Sequence, residues 1–378
     1  MALLFDQIQQ IPQTHILIIG VGAYPYLDGG SNPVQQKFDG AQLLGQLSSP
    51  PVSAEAFYNA IIDLHNKNSW IKPLGSIDVL VSADPSVTNL FSGKALEPAT
   101  MDNIGDAYFR WKGRCDSGPE NVAIFFFCGH GLDKGEHYLL AEDFGEQPEM
   151  PWRGSFAFDL TRRAFFSCKA QTQLFLVDAC RQLTSDMLKT ELPTNPIEPP
   201  SLLARDCKYN LTQKAAAANE SAYGKKNEVS FYTKALIGAL KGNASNNDIG
   251  EWRIGMGTLS SKINNLLQLE APGEGYPQRC INTTSDTTDI IRLAEPPLVP
   301  LKVTCSPDAA LAVAELSCLD PVTNQVEKRA PHTLPWEITI KAGLYKIEAS
   351  FSGGEYNPHF VFRSVTPPSV NHIFNCSL

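Results

Sequence analysis

The sequence predicts an α/β domain built on a mostly parallel sheet flanked by helices, followed by a small all-β, sandwich-like module. Two observations carry this. From about residue 14 to 293, continuous apolar runs such as HILIIG, NVAIFFFC and QLFLVDA alternate with helical stretches. Strands covered by helices on both faces read that way. Beyond residue 300 the period changes to two, in LKVTC, WEITI, YKIEASF and HFVFRSV, with Gly and Pro turns between them. EPPLVP (295–300) lies between the two patterns and reads as a linker. The expected domains are 1–294 and 301–378. The module holds no pair of titratable residues placed for chemistry, so a docking or stabilising role is expected of it.

The elements follow in order. THILIIG (14–20) is an apolar strand ended by Gly. Asn32-Pro33 offers an N-cap with Pro at the first helical position, and VQQKFDGAQLLGQL continues as a helix. A second helix is expected over 52–64, a strand over 76–82 and a helix over 101–115. Strands over 121–128 and 173–179 bracket a helix near 155–168. Helices over 228–240 and 258–270 and a strand over 287–293 complete the domain. Residues 183–227 hold LPTNPIEPP and then an Ala-rich polar run, which reads as a long loop.

Composition excludes several function classes. The chain has 378 residues, 43% of them hydrophobic, enough for a sizeable core. Its formal net charge is −9 and it has no basic stripe, which argues against nucleic-acid binding. No run approaches the ~18 apolar residues of a membrane span. MALLFDQIQQIPQT lacks the features of a secretory signal. Nine single cysteines with no CxxC pair point to reduced thiols, no disulfide framework and no metal site, hence a cytoplasmic setting. No cofactor is expected.

Two of the apolar strands end unusually. AIFFFCGHG closes on His130 between two glycines, and LFLVDAC closes on Asp178, Ala179 and Cys180. In open α/β sheets ligands bind at the carboxyl ends of strands. If these strands are neighbours, His130 and Cys180 meet there. An imidazole that accepts a thiol's proton is the arrangement for nucleophilic attack on a carbonyl. The backbone N–H groups of Gly131 and Cys180 are the candidate oxyanion donors, and Gly129 and Gly131 let the backbone approach a substrate. Cys128, two residues before His130, is the rival nucleophile and reads as core.

These residues resemble the caspase-like cysteine peptidases of clan CD (peptidase family C14), the group of caspases, metacaspases and paracaspases. The His precedes the Cys by 50 residues, as in caspases. HILIIGVGAY resembles the family's first strand, KFDGAQLLGQL its first helix and HYLLAEDF the segment after the His. SFYTKALIGAL resembles the helix after its processing segment. The resemblance covers roughly residues 12–293 and implies a caspase-like (caspase-hemoglobinase) fold acting on protein substrates.

Caspases place Gln two residues before the nucleophile and cleave after Asp. Here that position is Asp178, which favours the metacaspase side and cleavage after Arg or Lys, with Asp178 in the S1 pocket. Asp178 otherwise caps a turn or pairs with Arg181. The resemblance offers Asp39 as a second S1 carboxylate; as a bare sequence feature it equally suits a solvated helix face. It also implies that Tyr223, Ser230 and Tyr232 line the groove. Calcium binding in metacaspases needs an acidic cluster, and none is evident; Glu142 and Asp143 read as loop acids. His15, His65, His137 and His372 read as ordinary.

The loop 183–227 carries Lys189, Arg205, Lys208, Lys214, Lys225 and Lys226. It is expected either to be self-cleaved, at Arg205 or at Lys225-Lys226, or to be a surface loop whose basic residues serve solubility. An activating sensor or regulator, as in a prokaryotic antiviral defence or cell-death system, is a further expected partner. The alternatives are a catalytically silent caspase-fold scaffold and a peptidase with acidic P1 preference.

Overall fold

The computed structural model describes residues 2–36, 44–181, 195–201, 207–217, 221–270 and 278–377. The chain divides into two compact units, Met1–Ile237 with Gly255–Ile290, and Gly238–Ile254 with Ile291–Leu378.

The first unit is organised by a seven-stranded sheet. Its strands are β1 (Leu3–Asp6), β2 (Thr14–Val21), β3 (Leu74–Ser82), β4 (Val122–Gly129), β8 (Thr172–Ala179), β9 (Tyr209–Lys214) and Ile281–Thr284; three short strands, β5 (Gly131–Asp133), β6 (His137–Leu140) and β7 (Ser155–Ala157), lie outside it. The order across the sheet is β1-β3-β2-β4-β8-β9, then Ile281–Thr284. β3, β2, β4, β8 and β9 run parallel, and only the two outermost strands are antiparallel to their neighbours. Every residue of β2, β4 and β8 is buried, which is why these strands read as unbroken apolar runs.

Alternate side chains serve opposite faces. On one face Phe126 stacks on Phe57 of α1 (Ser49–Asn66) at 4.4 Å between ring centroids. On the other, Phe125 meets Trp111 of α2 (Met101–Cys115), which stacks on Phe165 of α3 (Phe158–Phe165) at 4.5 Å. Helix α2 begins where the sequence places it, with Thr100 Oγ1 accepting from Asn103 N at 3.3 Å.

A small sheet of β5 (Gly131–Asp133), β6 (His137–Leu140) and β7 (Ser155–Ala157) follows β4. Two helices, α4 (Phe231–Gly238) and α5 (Met256–Glu270), lie close to the expected spans.

Four expectations are corrected. Residues 33–36 and 44–47 are not helical, while 37–43 lie outside the described residues. There Gln36 Nε2 donates to the carbonyls of Tyr26, Val34 and Gly145, tying a loop. The stretch 183–227 is not one loop, because it contains β9. That strand is polar by composition, yet Asn210, Thr212, Gln213 and Lys214 are buried. The expected last strand, observed as Asp289–Arg292, is not part of the seven-stranded sheet; Ile281–Thr284 takes the outer position. EPPLVP is not all linker, since Leu298–Ser306 is already a strand. Pro300 is tolerated there because pairing with Val370–Asn375 begins only at Leu301.

The second unit packs a three-stranded sheet (Trp336–Lys341, Leu298–Ser306, Val370–Asn375) and a four-stranded sheet (Val326–Arg329, Glu315–Leu319, Gly343–Ser350, His359–Val365). Val299, Leu301, Val303, Leu316, Ile347 and Phe374 form its core, and Trp252 packs against them.

Candidate active site

The register of the central strands brings the two candidate catalytic residues together. β4 and β8 are parallel neighbours, with Cys128 opposite Asp178 and Gly129 opposite Ala179. His130 and Cys180 are the next residues on each strand, so they leave the sheet side by side. The chain runs from β2 to β3 on one side and from β4 to β9 on the other. The strand order therefore reverses between β2 and β4, where such sheets open a crevice. His130 and Cys180 line a cleft of about 200 Å³ there, with Asp178, Ala222, Tyr223 and Ser230. A wider depression of about 540 Å³ shares Leu47, Ser49 and Gly224 with it and reaches Lys225 and Lys226. Of the two, only the smaller cleft contains the thiol and the imidazole.

His130 is fixed at both ends. Its backbone N donates to Tyr24 Oη at 2.9 Å, and the two rings lie 4.9 Å apart. Its Nε2 lies 2.8 Å from the Gly45 carbonyl. A carbonyl only accepts, so Nε2 carries hydrogen and Nδ1 of the neutral ring keeps the lone pair. Burial pushes this imidazole down to about 4, against the Gly45 carbonyl, which favours the charged form. Burial also raises the Cys180 thiol, opposed by the Ala222 N–H. That N–H donates to Cys180 Sγ at 3.3 Å. Burial thus favours the uncharged form of both groups, thiol and neutral imidazole.

Asp178 is 3% exposed. Its Oδ2 accepts from the hydroxyls of Ser230 and of Thr233, the latter at 2.6 Å, and Cys128 also donates to it. Burial raises its carboxyl, and these three donors pull it back. It does not pair with Arg181, whose Nε donates to Asp133 Oδ2 at 2.6 Å. Cys128 is buried, its thiol pushed well above the usual range by burial and then by the Asp178 charge; that suits a structural role.

Other residues fall as follows. Tyr223 and Ser230 line the cleft, but Tyr232 does not: it is fully buried and its Oη donates to Gln213 Oε1 at 3.2 Å. Glu142 accepts from Ser82 Oγ and Asp143 from the backbone N of Met101, so both are structural ties. Lys214 is not a loop cation; its Nζ sits 2.8 Å from both carboxylate oxygens of Asp159. Lys225 and Lys226 are exposed. Asp39 and Arg205 lie outside the described residues. Among the described residues no three His, Cys, Asp or Glu side chains cluster as a metal site.

The sequence reading missed Tyr24, Gly45, Ala222 and, above all, His137. His137 is fully buried and its Nε2 lies 3.1 Å from the Cys180 carbonyl. The signal was the hairpin GLDKGEHYLL: Gly135 at φ +77° turns the chain, and Gly131 then pairs with Leu139 and Asp133 with His137. Leu140 N donates to His130 O, so the 130/140 pair is bonded. The alternation of an antiparallel ladder then makes 131/139 the non-bonded pair, and Gly131 N–H stays out of the ladder.

Buried neutral histidines carry a stability consequence. Burial holds His15, like His130, at about 4, below the ordinary 6.5. As pH falls, the unfolded chain takes up protons first. The stability is fully present above about 6.5 and is lost as pH falls toward 4. Between pH 7.5 and 6 the loss is expected to be about 1 kcal/mol per histidine. Urea midpoints at the two pH values measure it; equal midpoints would contradict burial of neutral rings.

The chain is similar in sequence to a known family. The family model described as the caspase domain of peptidase family C14 matches residues 15–278. The uncharacterized protein y4kE of Sinorhizobium fredii (strain NBRC 101917 / NGR234) is 28% identical over 286 residues, covering 72% of this chain and 77% of that protein. The crystal structure of protein GSU0716 from Geobacter sulfurreducens aligns over 72% of this chain and 94% of that one, at 13% identity and a TM-score of 0.42. No helix among the described residues is long and apolar enough to cross a membrane. With strands β4 and β8 delivering His130 and Cys180 to one cleft inside the matched span, the chain belongs to the caspase-domain family of cysteine peptidases.

Proposed function

We propose that the protein is a cysteine endopeptidase that cleaves protein substrates after Arg or Lys. The observation that carries this is the in-register exit of His130 and Cys180 onto one cleft above a buried acid, Asp178. His130 Nδ1 takes the proton of Cys180 as sulfur attacks the scissile carbonyl. The N–H groups of Gly131 and Cys180 hold the oxyanion. The amine leaves with the proton from His130, and water then hydrolyses the thioester. The neutral resting pair makes proton transfer part of the attack. Asp178, with a second carboxylate offered by Asp39, receives the basic P1 side chain. Fluorogenic peptides with Arg, Lys or Asp at P1 test the reading. Turnover after Arg or Lys is expected; no turnover, or efficient cleavage after Asp, overturns it.

Self-processing belongs to the same reading. Lys225 and Lys226 are exposed and border the depression that joins the cleft. Concentrated active protein is expected to nick itself at Lys225-Lys226 or after Arg205, and Cys180→Ala is expected to stay intact by mass. An unclipped chain that turns over substrate only with a second protein would place activation in a sensor, as in a protease arm of a defence or cell-death system.

A further inference from the structure

We propose that His137 is a positioning residue for the nucleophile: its Nε2–H holds the Cys180 carbonyl and so keeps the oxyanion pocket at Gly131 open. The proposal rests on the cysteine-peptidase reading above. The carbonyl can only accept, so Nε2, 3.1 Å from it, carries the hydrogen. Nδ1 is buried and has no hydrogen-bond partner among the described residues. The ring is braced from behind. His137 backbone N donates to Asp159 Oδ2 at 3.1 Å, Asp159 is held by Lys214, and the Phe158 ring meets the imidazole edge-on at 6.2 Å.

A second tie runs the same way. Arg181, next to the nucleophile, pairs with Asp133. Both ties anchor residues 180–181 to the β5–β6 hairpin, which starts at Gly131. Three groups converge at that glycine: a Cβ on it would lie 2.6 Å from both Cys180 O and His137 Nε2 and 2.9 Å from Ala179 Cβ. The Gly131 N–H, two bonds from that Cβ position, stays out of the ladder. A Cys180 carbonyl released from His137 could accept that N–H itself. The pocket needed by the substrate oxyanion would then be filled.

Two reactions separate this role from a general structural one. Alkylation of Cys180 by iodoacetamide needs the thiol but no oxyanion donor. Single-turnover acylation by a peptide ester with Arg at P1 needs both. For His137→Phe, alkylation is expected within about twofold of wild type, while acylation falls about thirtyfold, with the loss in kcat and not KM. His137→Gln, whose amide nitrogen has similar reach, is expected to restore most of it. An equal fall in both reactions, or no fall in acylation, overturns the proposal. Nitrogen-15 NMR of wild-type protein reads the hydrogen bond without turnover. The ring faces Lys214, Arg181 and Asp159 and is expected to be the neutral Nε2–H tautomer at pH 7. An Nδ1–H tautomer overturns the proposal too. A wild-type protein inert to every peptide ends the catalytic role together with the peptidase reading, whereas the tautomer result would still report the contact.

Discussion

Cys180→Ala and His130→Ala are each expected to lower peptide turnover by about 10³-fold or more, because each abolishes covalent attack. The two losses should not add in the double variant, since both disable one step. Cys128→Ser is the control. Its thiol is buried on Asp178, and a hydroxyl there can still donate, so turnover within a few-fold of wild type is expected. An inactive Cys128→Ser beside an active Cys180→Ser would reverse the assignment. The resting state adds a signature. With His130 held down to about 4 by burial, the acid limb of kcat/KM should reach well below the ordinary histidine range.

Much of this site was legible in the chain because it sits on elements that sequence patterns describe well. Runs such as AIFFFC and LFLVDA are apolar throughout, since both faces of β4 and β8 are covered, and their last residues are then necessarily at the sheet's carboxyl edge. Strand β9 was illegible for the opposite reason. YNLTQK carries polar side chains that are buried because they find partners: Gln213 takes Tyr232 Oη and donates to the Leu259 carbonyl, and Lys214 takes Asp159. Those partners lie far off in the chain, so no local period reports them. His137 hid in the same way. Its role depends on a hairpin folding back toward a carbonyl 43 residues further along the chain. Tyr223 and Tyr232 show the limit of resemblance, since only Tyr223 reaches the cleft.

Specificity is expected to rest on Asp178. Asp178→Asn keeps an acceptor for the hydroxyls of Ser230 and Thr233 and keeps the shape of the cleft floor, but removes the charge. A guanidinium brought against the buried position of Asp178 without a counter-charge loses about 3 kcal/mol or more of binding. The fall in kcat/KM for an Arg substrate should therefore be at least a hundredfold. It should be much smaller for a neutral P1 residue of similar size, such as citrulline. That comparison matters because Asp178 is already engaged by three donors, and a purely structural acid would show a different pattern. If Asp178 only braced Ser230 and Thr233 at the start of α4, the substitution would slow Arg and citrulline substrates alike and lower the melting temperature. A selective loss on Arg with the fold intact assigns the carboxylate to S1; parallel losses would assign it to the scaffold and leave the basic P1 preference without its residue.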